Sequence, residues 1–384
     1  MPNTKLKPYI DFYSKHNISP VHQDITDMEK HFQRRESLYR SLSVIPNLLE
    51  GKSILEFGPG SGHNAIYTAS LNPKHYVLVD GNKRGIFECK SKLNQTGIEP
   101  EKLEFHHSLI EDFQSDEVFD IVIAEGFIPY QFDPVQLLRR VSKFCNKKGG
   151  VLLITSNSAV GLLPEIIRRF AKFLLFEQND NIEDKLIILR PLFEPHLKTL
   201  KGMNRPVDDW LLDNIIQPFP SGLKLLNMPD AINSLADDFD ILGTSPKFIT
   251  DWRWYKDIVG GEFDFNGIAI ENYYRKNLNL MDYRFVFPEH DKKFGLELET
   301  MCSEVWEFMC SLESGTITSW NPVWGLLQSI KNLIKPIAYK TAESIDESMI
   351  WLKNINTTDN NNKLYNHFFH WWGRGHNYIS FIKR

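Results

Sequence analysis

Three acids and a run of alternating glycines are the residues in this chain whose types and spacing suit chemistry. Glu56, Gly58, Pro59, Gly60 and Gly62 form an E-x-G-x-G-x-G segment that follows the apolar run 53–57 and opens a helical pattern. Glycine tolerates positive φ and leaves bare backbone for a ligand to approach. The helix N-terminus that follows offers free N–H groups and a positive dipole end, which suit a carboxylate or phosphate. Asp80 closes the next apolar run and is followed by Gly81. In an α/β fold that is where a carboxylate accepts hydrogen bonds from ribose hydroxyls. A glycine loop alone is weak evidence. Set between strand and helix, with an acid ending the next strand, it points to a nucleoside-bearing cofactor. The third acid, Glu125, follows the apolar run 119–124 and stands where an acceptor would meet that cofactor.

These residues need a parallel sheet to bring them together. Apolar runs at 53–57, 76–80, 103–107, 119–124 and 151–155 alternate with helical patterns at 64–71, 84–96 and 135–145. Strict alternation of this kind makes βαβ units and a doubly wound sheet. Ahead of it, Thr26-x-x-Glu29 reads as a capping box for a helix to about Leu42. Downstream the alternation stops, and proline-divided helical patterns fall near 162–176, 184–189, 207–216 and 230–235. Residues 239–244 (FDILGT) and the tail 377–383 (NYISFIK) read as strands that pair antiparallel at the sheet's edge. The expected fold class is therefore α/β, a doubly wound, mostly parallel seven-stranded sheet with large, mainly helical insertions. The expected organisation is an N-terminal arm (1–48), a core (49–160), a helical insertion (161–238), a sixth strand (239–249), a helical and aromatic insertion (250–375) and a closing edge strand (376–384). Both insertions are expected to cover the sheet's carboxyl edge without forming a second domain. The polar stretch 354–363 reads as a solvated loop.

The E-x-G-x-G-x-G spacing differs from the G-x-G-x-x-G of dinucleotide binders. It resembles the first motif of class I S-adenosylmethionine (SAM)-dependent methyltransferases. Residues 76–80 match that family's second motif, 107–112 (HSLIED) lie where it contacts adenine, 119–126 (FDIVIAEG) match the fourth motif, and 149–155 match the fifth strand. The resemblance covers about residues 50–156 and the two closing strands. It implies SAM as cofactor, with Gly58, Pro59, Gly60 and Gly62 lining it. Glu56 would sit near the methionine amino group, Asp80 and Gly81 at the ribose, and Ser108 and Leu109 beside the adenine. The family often has an acid at the position of Ser108, which is a departure. An N-terminal segment commonly folds over the cofactor in this family, which makes Tyr13 and His16, with His22 nearby around residues 18–20, candidates for cofactor or substrate contact.

Methyl transfer from a sulfonium is an in-line displacement in which the protein mainly positions the reactants and excludes water. A hydroxyl acceptor would also use a general base at the carboxyl ends of the strands. Glu125 is the first candidate, with a helix cap or a methionine-amino contact as its alternatives; His63 and Tyr130 are the others. Arg34 and Arg35 read as a solvated helix face, with an anion contact as the alternative. The segments 251–255 (DWRWY) and 368–375 (FFHWWGRG) mix aromatic faces with polar groups, as a sugar or ring acceptor requires. Trp252, Arg253, Trp254, His370 and Arg374 are the substrate-binding candidates, with plain aromatic packing as the alternative. His367 and His370 have helical ligand spacing but no companion carboxylates, so no metal is expected.

Bulk properties narrow the function classes. Hydrophobic residues make up 42% of the 384 and charged residues 24%, a composition that packs a core. The net charge of −5 gives no general attraction for a phosphate backbone, so no nucleic-acid partner is expected. No apolar run reaches the length of a membrane span, and the N-terminal residues lack the apolar stretch of a signal peptide. The cysteines Cys89, Cys145, Cys302 and Cys310 have no CxxC pairing and read as buried thiols of a cytoplasmic protein. The composition leaves the oligomeric state open. Together these features point to a cytoplasmic SAM-dependent methyltransferase acting on a small molecule, such as a hydroxyl of a sugar, glycan or related metabolite. The alternatives are a protein or RNA methyltransferase, or a SAM-binding interaction protein without catalysis.

Overall fold

The computed structural model describes residues 8–16, 24–176, 181–203, 205–317, 319–356 and 365–384. His22, residues 18–20 and most of the 354–363 loop lie outside them. Seven strands form one sheet: β1 Ser53–Phe57, β2 His75–Asp80, β3 Leu103–His107, β4 Ile121–Ala124, β5 Val151–Asn157, β6 Phe239–Ser245 and β7 His376–Lys383. Their order is β3-β2-β1-β4-β5-β7-β6. The first five pair in parallel, and β7 runs antiparallel to both β5 and β6. The strands β1, β2, β4 and β5 are nearly continuous in Ile, Leu and Val and are buried along their length, as strands covered on both faces must be. The two downstream strands do pair with each other, as expected. In addition, β7 lies between β5 and β6, so its first residues stand at the carboxyl end of β5.

Helices α1 (Pro8–Lys15) and α2 (Met28–Ser41) precede the sheet, and α3 (Ala65–Ser70), α4 (Lys83–Leu93) and α5 (Pro134–Ser142) connect its parallel strands. The cap of α2 is Asp27, not Thr26: the Lys30 N–H donates to its carboxylate at 3.0 Å, while Thr26 bonds Asp24. A carboxylate is the better partner for orphan N–H groups at a helix start, and it displaces the expected box. Asn82 and Asp133 cap α4 and α5 in the same way. One face of the sheet, made of Ile54, Tyr76, Leu78, Ile121, Ile123, Val151 and Leu153, packs against Tyr39 of α2, Ala65, Ile66, Tyr67 and Ala69 of α3, and Ile86, Cys89 and Leu93 of α4 in one buried cluster.

The chain divides into two compact units, 1–157 with 224–273 and 376–384, and 158–223 with 274–375. This departs from the expected arrangement of insertions laid over one domain. Helix α9 (Met228–Leu235) packs on α5, β5 and β6, and the segment 250–264 stays with the sheet, so both belong to the first unit. The second unit holds α6 (Ala159–Leu175), α7 (Ile182–Leu197), α8 (Val207–Leu211), α11 (Leu278–Met281), α12 (Lys292–Glu313), α13 (Asn321–Ile334), α14 (Tyr339–Lys353) and α15 (Asn366–Phe369), while α10 (Phe265–Lys276) crosses the boundary. It has its own core. There Arg168 is fully buried, donating to His196 Nδ1 at 3.2 Å, to the Pro164 carbonyl at 3.0 Å and to the Phe368 carbonyl at 2.9 Å, with its guanidinium 3.8 Å from the Trp372 ring centre. Burial holds His196 well below the usual histidine range, which leaves Nδ1 free to accept from Arg168. No described helix is long and apolar enough to cross a membrane, and all four cysteines are buried free thiols.

Because β7 lies between β5 and β6 in the sheet, its buried aromatic anchor should be costly to remove. Phe381 is 0% exposed, and Phe381→Ala should lower stability by about 3–5 kcal/mol. Urea unfolding followed by circular dichroism checks this, and a loss below about 1 kcal/mol would place β7 outside the core.

Candidate cofactor and acceptor site

Side chains alternate across a strand, so the face that buries Ile54, Tyr76, Leu78, Ile121, Ile123 and Leu153 also carries whatever follows them in phase. Glu56, Asp80, Glu125, Thr155 and Asn157 are those residues, and Tyr378 joins them from β7 opposite Thr155. The apolar face thus ends, strand by strand, in a row of polar groups at the carboxyl edge.

The glycine loop forms one end of the row. Gly58, Gly60 and Gly62 have φ of 68°, 55° and 82°, in the left-handed region. A Cβ on Gly58 would lie 2.6 Å from the Phe127 ring, and one on Gly62 would lie 2.8 Å from Cys89 Sγ, so the loop is glycine by necessity. The Gly58 N–H donates to the Val79 carbonyl at 2.8 Å, and the Gly60 N–H donates to Asp80 Oδ2 at 2.9 Å. Asp80 Oδ1 accepts from the Asn82 N–H at 2.7 Å. Each carboxylate oxygen keeps one lone pair for a further donor. Burial pushes the Asp80 carboxyl above its usual range, against the two backbone N–H bonds. Leu109 and Ile10 of α1 come within contact distance of a Cβ built on Gly81, so α1 does reach the end of β2. Tyr13 of the same helix is buried, and the His16 ring packs at a tilt against Phe12, with ring centres 5.0 Å apart. The Ser108 N–H donates to the Asp80 carbonyl at 3.1 Å, while its hydroxyl bonds the Leu109 carbonyl at 2.9 Å.

Glu56 is 5% exposed and accepts a short hydrogen bond from the Tyr76 hydroxyl. Burial pushes its carboxyl up to about 7; the Tyr76 bond opposes this, and the charges of Glu125 and Asp80 add to it. Glu125 is not a free carboxylate. Arg35 holds it by two N–H···O bonds of 2.9 Å, a bidentate pair with Tyr39 at its side. The reading of Arg35 as a solvated residue is therefore corrected: it is 7% exposed, because the helix face it occupies lies over the sheet and the Glu125 charge draws it in. The Arg35 Nε has no hydrogen-bond partner among the described residues. His63 neither caps a helix by its ring nor stands free, since Nδ1 lies 2.5 Å from Ser61 Oγ and its carbonyl meets His31 Nε2 at 2.8 Å. Tyr130 has φ of 70° and its N–H donates to the Lys224 carbonyl at 3.0 Å. The Gly126 N–H donates to Thr155 Oγ1 at 3.1 Å, tying the loop after β4 to β5.

Residues 48–185 match the family model of a methyltransferase domain. Residues 48–185 therefore form a methyltransferase domain. Such a domain implies S-adenosylmethionine as cofactor. Among curated relatives, the tRNA U34 carboxymethyltransferase of Helicobacter hepaticus is 29% identical over 125 residues, covering 30% of this chain and 40% of that protein. The probable protein arginine N-methyltransferase 6 of Arabidopsis thaliana is 28% identical over 160 residues, covering 41% of this chain and 36% of that protein. The chain thus spans about two fifths of the length of these relatives. Among solved structures, the N-methyltransferase NodS from Bradyrhizobium japonicum WM9 with S-adenosylhomocysteine is 19% identical, with a TM-score of 0.31 over 39% of this chain and 74% of that one.

The methyltransferase domain's acceptor candidates fare unequally. Trp252 is 94% exposed and Trp254 60%, whereas Arg253 is committed to Asp251 and to Glu262, at 2.7 and 2.9 Å. In the second unit, Phe368, Trp371 and Trp372 are buried packing groups, so most of the FFHWWGRG aromatics are core. His370 and Arg374 are exposed, with His370 Nδ1 2.8 Å from the Asn366 carbonyl. Among the described residues no group of three or more His, Cys, Asp or Glu could hold a metal; His367 meets only Glu343, at 3.7 Å. Sequence reasoning missed Tyr76, Asn157 and Tyr378, and gave Arg35 an anion contact only as the alternative to a solvated face. For Tyr76, Asn157 and Tyr378 the signal was available, since each shares strand parity with a core position.

The Arg35–Glu125 pair yields a stability prediction. Removing one partner of a buried pair leaves an uncompensated charge, so Arg35→Met should cost about 3–5 kcal/mol, and Arg35→Met with Glu125→Gln should recover most of it. A double-mutant cycle by urea unfolding measures this, and additive losses would show that the pair does not couple.

Proposed function

We propose that this chain is a SAM-dependent methyltransferase that methylates a hydroxyl of a small-molecule acceptor, such as a sugar, glycan or related metabolite. The observation that carries the reading is the single row of polar groups from Asp80 to Tyr378 along one carboxyl edge, with the glycine loop at one end and unused hydrogen-bonding capacity at the other. The residues fit the cofactor. Gly58, Pro59, Gly60 and Gly62 give it a backbone cradle, Asp80 keeps a free lone pair on each oxygen, and Glu56 offers a carboxylate to an ammonium group. When bound, SAM would supply a methyl group that passes from its sulfonium sulfur to the acceptor oxygen, the C–S bond breaking as the O–C bond forms, to give a methyl ether, S-adenosylhomocysteine and the hydroxyl proton. The protein's part is to hold the acceptor in line and keep water out. Glu125 takes the positioning role here: held by Arg35, it anchors α2 over the loop after β4. Each Glu125 oxygen accepts one N–H from Arg35 and keeps a lone pair, to which the acceptor's proton would pass.

A protein or RNA acceptor is the second reading, favoured by the names of the two relatives, one acting on tRNA and the other on protein arginine. For that reason the absence of a nucleic-acid partner, expected from net charge, is not retained as a conclusion. Incubating the protein with a deuterated-methyl donor and separate metabolite, RNA and protein fractions distinguishes these readings by where the label appears. Label in the small-molecule fraction supports the first, and S-adenosylhomocysteine formed from none of them leaves only cofactor binding.

Glu56 gives the cofactor site a pH signature. Its carboxyl titrates near 7 in the free protein, and an ammonium docked beside it would stabilise the carboxylate. Binding then releases a proton at low pH, so SAM affinity should rise between pH 6 and pH 8, by up to about tenfold. Calorimetry in buffers of different ionisation enthalpy reads both effects, and Glu56→Gln should flatten the profile. A wild-type affinity that ignores pH would remove Glu56 from the methionine end.

A further inference from the structure

The row at the carboxyl edge contains one group that the structure leaves entirely unmet. Asn157 ends β5 and is 0% exposed, yet neither Nδ2 nor Oδ1 has a hydrogen-bond partner among the described residues. Its backbone is satisfied, since its N–H donates to the Leu226 carbonyl at 2.7 Å. The strand therefore does not need an amide there. Buried polar side chains are nearly always paired, and a donor and an acceptor left open side by side destabilise the fold. Leu or Val would fill the position without that cost.

Register shows what the amide shares its face with. Thr155 pairs with Tyr378 and Asn157 with His376, so Thr155, Asn157 and Tyr378 point to the same side of the sheet as Glu125. The Tyr378 hydroxyl feels the charges of both Glu125 and Arg35, and burial with Glu125 nearby pushes it up to about 12, so it is a neutral phenol. A β7 that lies between β5 and β6 is what delivers it here.

We propose that Asn157 and Tyr378 form the seat for an uncharged hydroxyl of the acceptor. A hydroxyl is the group that both donates and accepts at one atom: its proton meets Asn157 Oδ1 and its lone pair takes the Asn157 Nδ2–H. A carboxylate or phosphate would satisfy only Nδ2 and would face the negative charges of Glu56 and Glu125. An ammonium would satisfy only Oδ1. This inference deepens the methyltransferase reading and rests on it for the reaction, but not for its test.

The test uses Asn157→Leu in the full chain, with isopropanol as the probe. A binding amide with no internal partners predicts that the variant melts at or above the wild-type temperature. It also predicts that wild-type crystals soaked in isopropanol place the alcohol oxygen within hydrogen-bond distance of both Asn157 atoms, while variant crystals do not. A melting temperature lowered by several degrees would mean that the amide is structural and would overturn the proposal. So would a soak that leaves the Asn157 side chain without alcohol, or one that finds both atoms held by protein. SAM affinity, measured on both proteins, should be equal. If wild-type protein binds no SAM, the methyltransferase reading fails while the melting and soaking results still decide the hydroxyl seat.

Discussion

The site depends first on the Asp80 carboxylate. Its two oxygens take N–H groups from Gly60 and Asn82, so one side chain at the end of β2 fixes both the loop after β1 and the start of α4. Three glycines with positive φ lose much conformational freedom on folding. The loop holds its shape because the Gly58 N–H is taken by the Val79 carbonyl, the Gly60 N–H by Asp80, and the space over Gly58 by Phe127. The same carboxylate thus preorganises the cradle and keeps lone pairs for the ligand. A binding site built this way has little to rearrange when its cofactor arrives.

Much of the fold was legible because its signals are local. Continuous Ile, Leu and Val runs mark strands buried on both faces, and Asp133 before Pro134 marks a helix start that the structure keeps. The antiparallel pairing of 239–245 with 376–383 was legible from alternation alone, although β7's place between β5 and β6 was not, since order in a sheet depends on long-range packing. The compact second unit was not legible either. Its helices carry Pro191 and Pro195 within α7 and Arg168 at a core position, each of which reads locally as a break or a surface. Tertiary contacts reverse both readings, with the buried guanidinium sharing its hydrogens among one imidazole and several carbonyls.

The site was legible in outline for the same reason. Glycine spacing and a strand-ending acid are sequence features, and they placed Glu56, Asp80 and the loop together. What escaped was partnership across distance. Arg35 stands 90 positions before Glu125, and in sequence it reads as a charge on a solvated helix face. Their pairing is visible only once α2 is known to lie over the sheet. Tyr378 is farther still, and the chain must close its last strand before that hydroxyl reaches Glu125.

Charge supplies the remaining step. Glu56, Asp80 and Glu125 are three carboxyl groups on one face, and Arg35 is already committed to Glu125 by both of its terminal nitrogens. Burial raises Glu56 to about 7, with the charges of Glu125 and Asp80 adding to it, and burial lifts Asp80 as well, so the free protein keeps both acids in surroundings that disfavour their ionised forms. Such an arrangement costs stability as pH rises from the ordinary carboxylate range to about 7, because the folded state binds more protons than the unfolded one across that window, and the cost persists above it. A ligand carrying positive charge reverses the balance by stabilising the carboxylates, whereas an anionic ligand worsens it. S-adenosylmethionine presents a sulfonium and an ammonium, and the charge pattern that is awkward for the free protein is complementary to both. Loss of the methyl group would remove the sulfonium charge, so the same field would hold the neutral product sulfur less tightly than the donor.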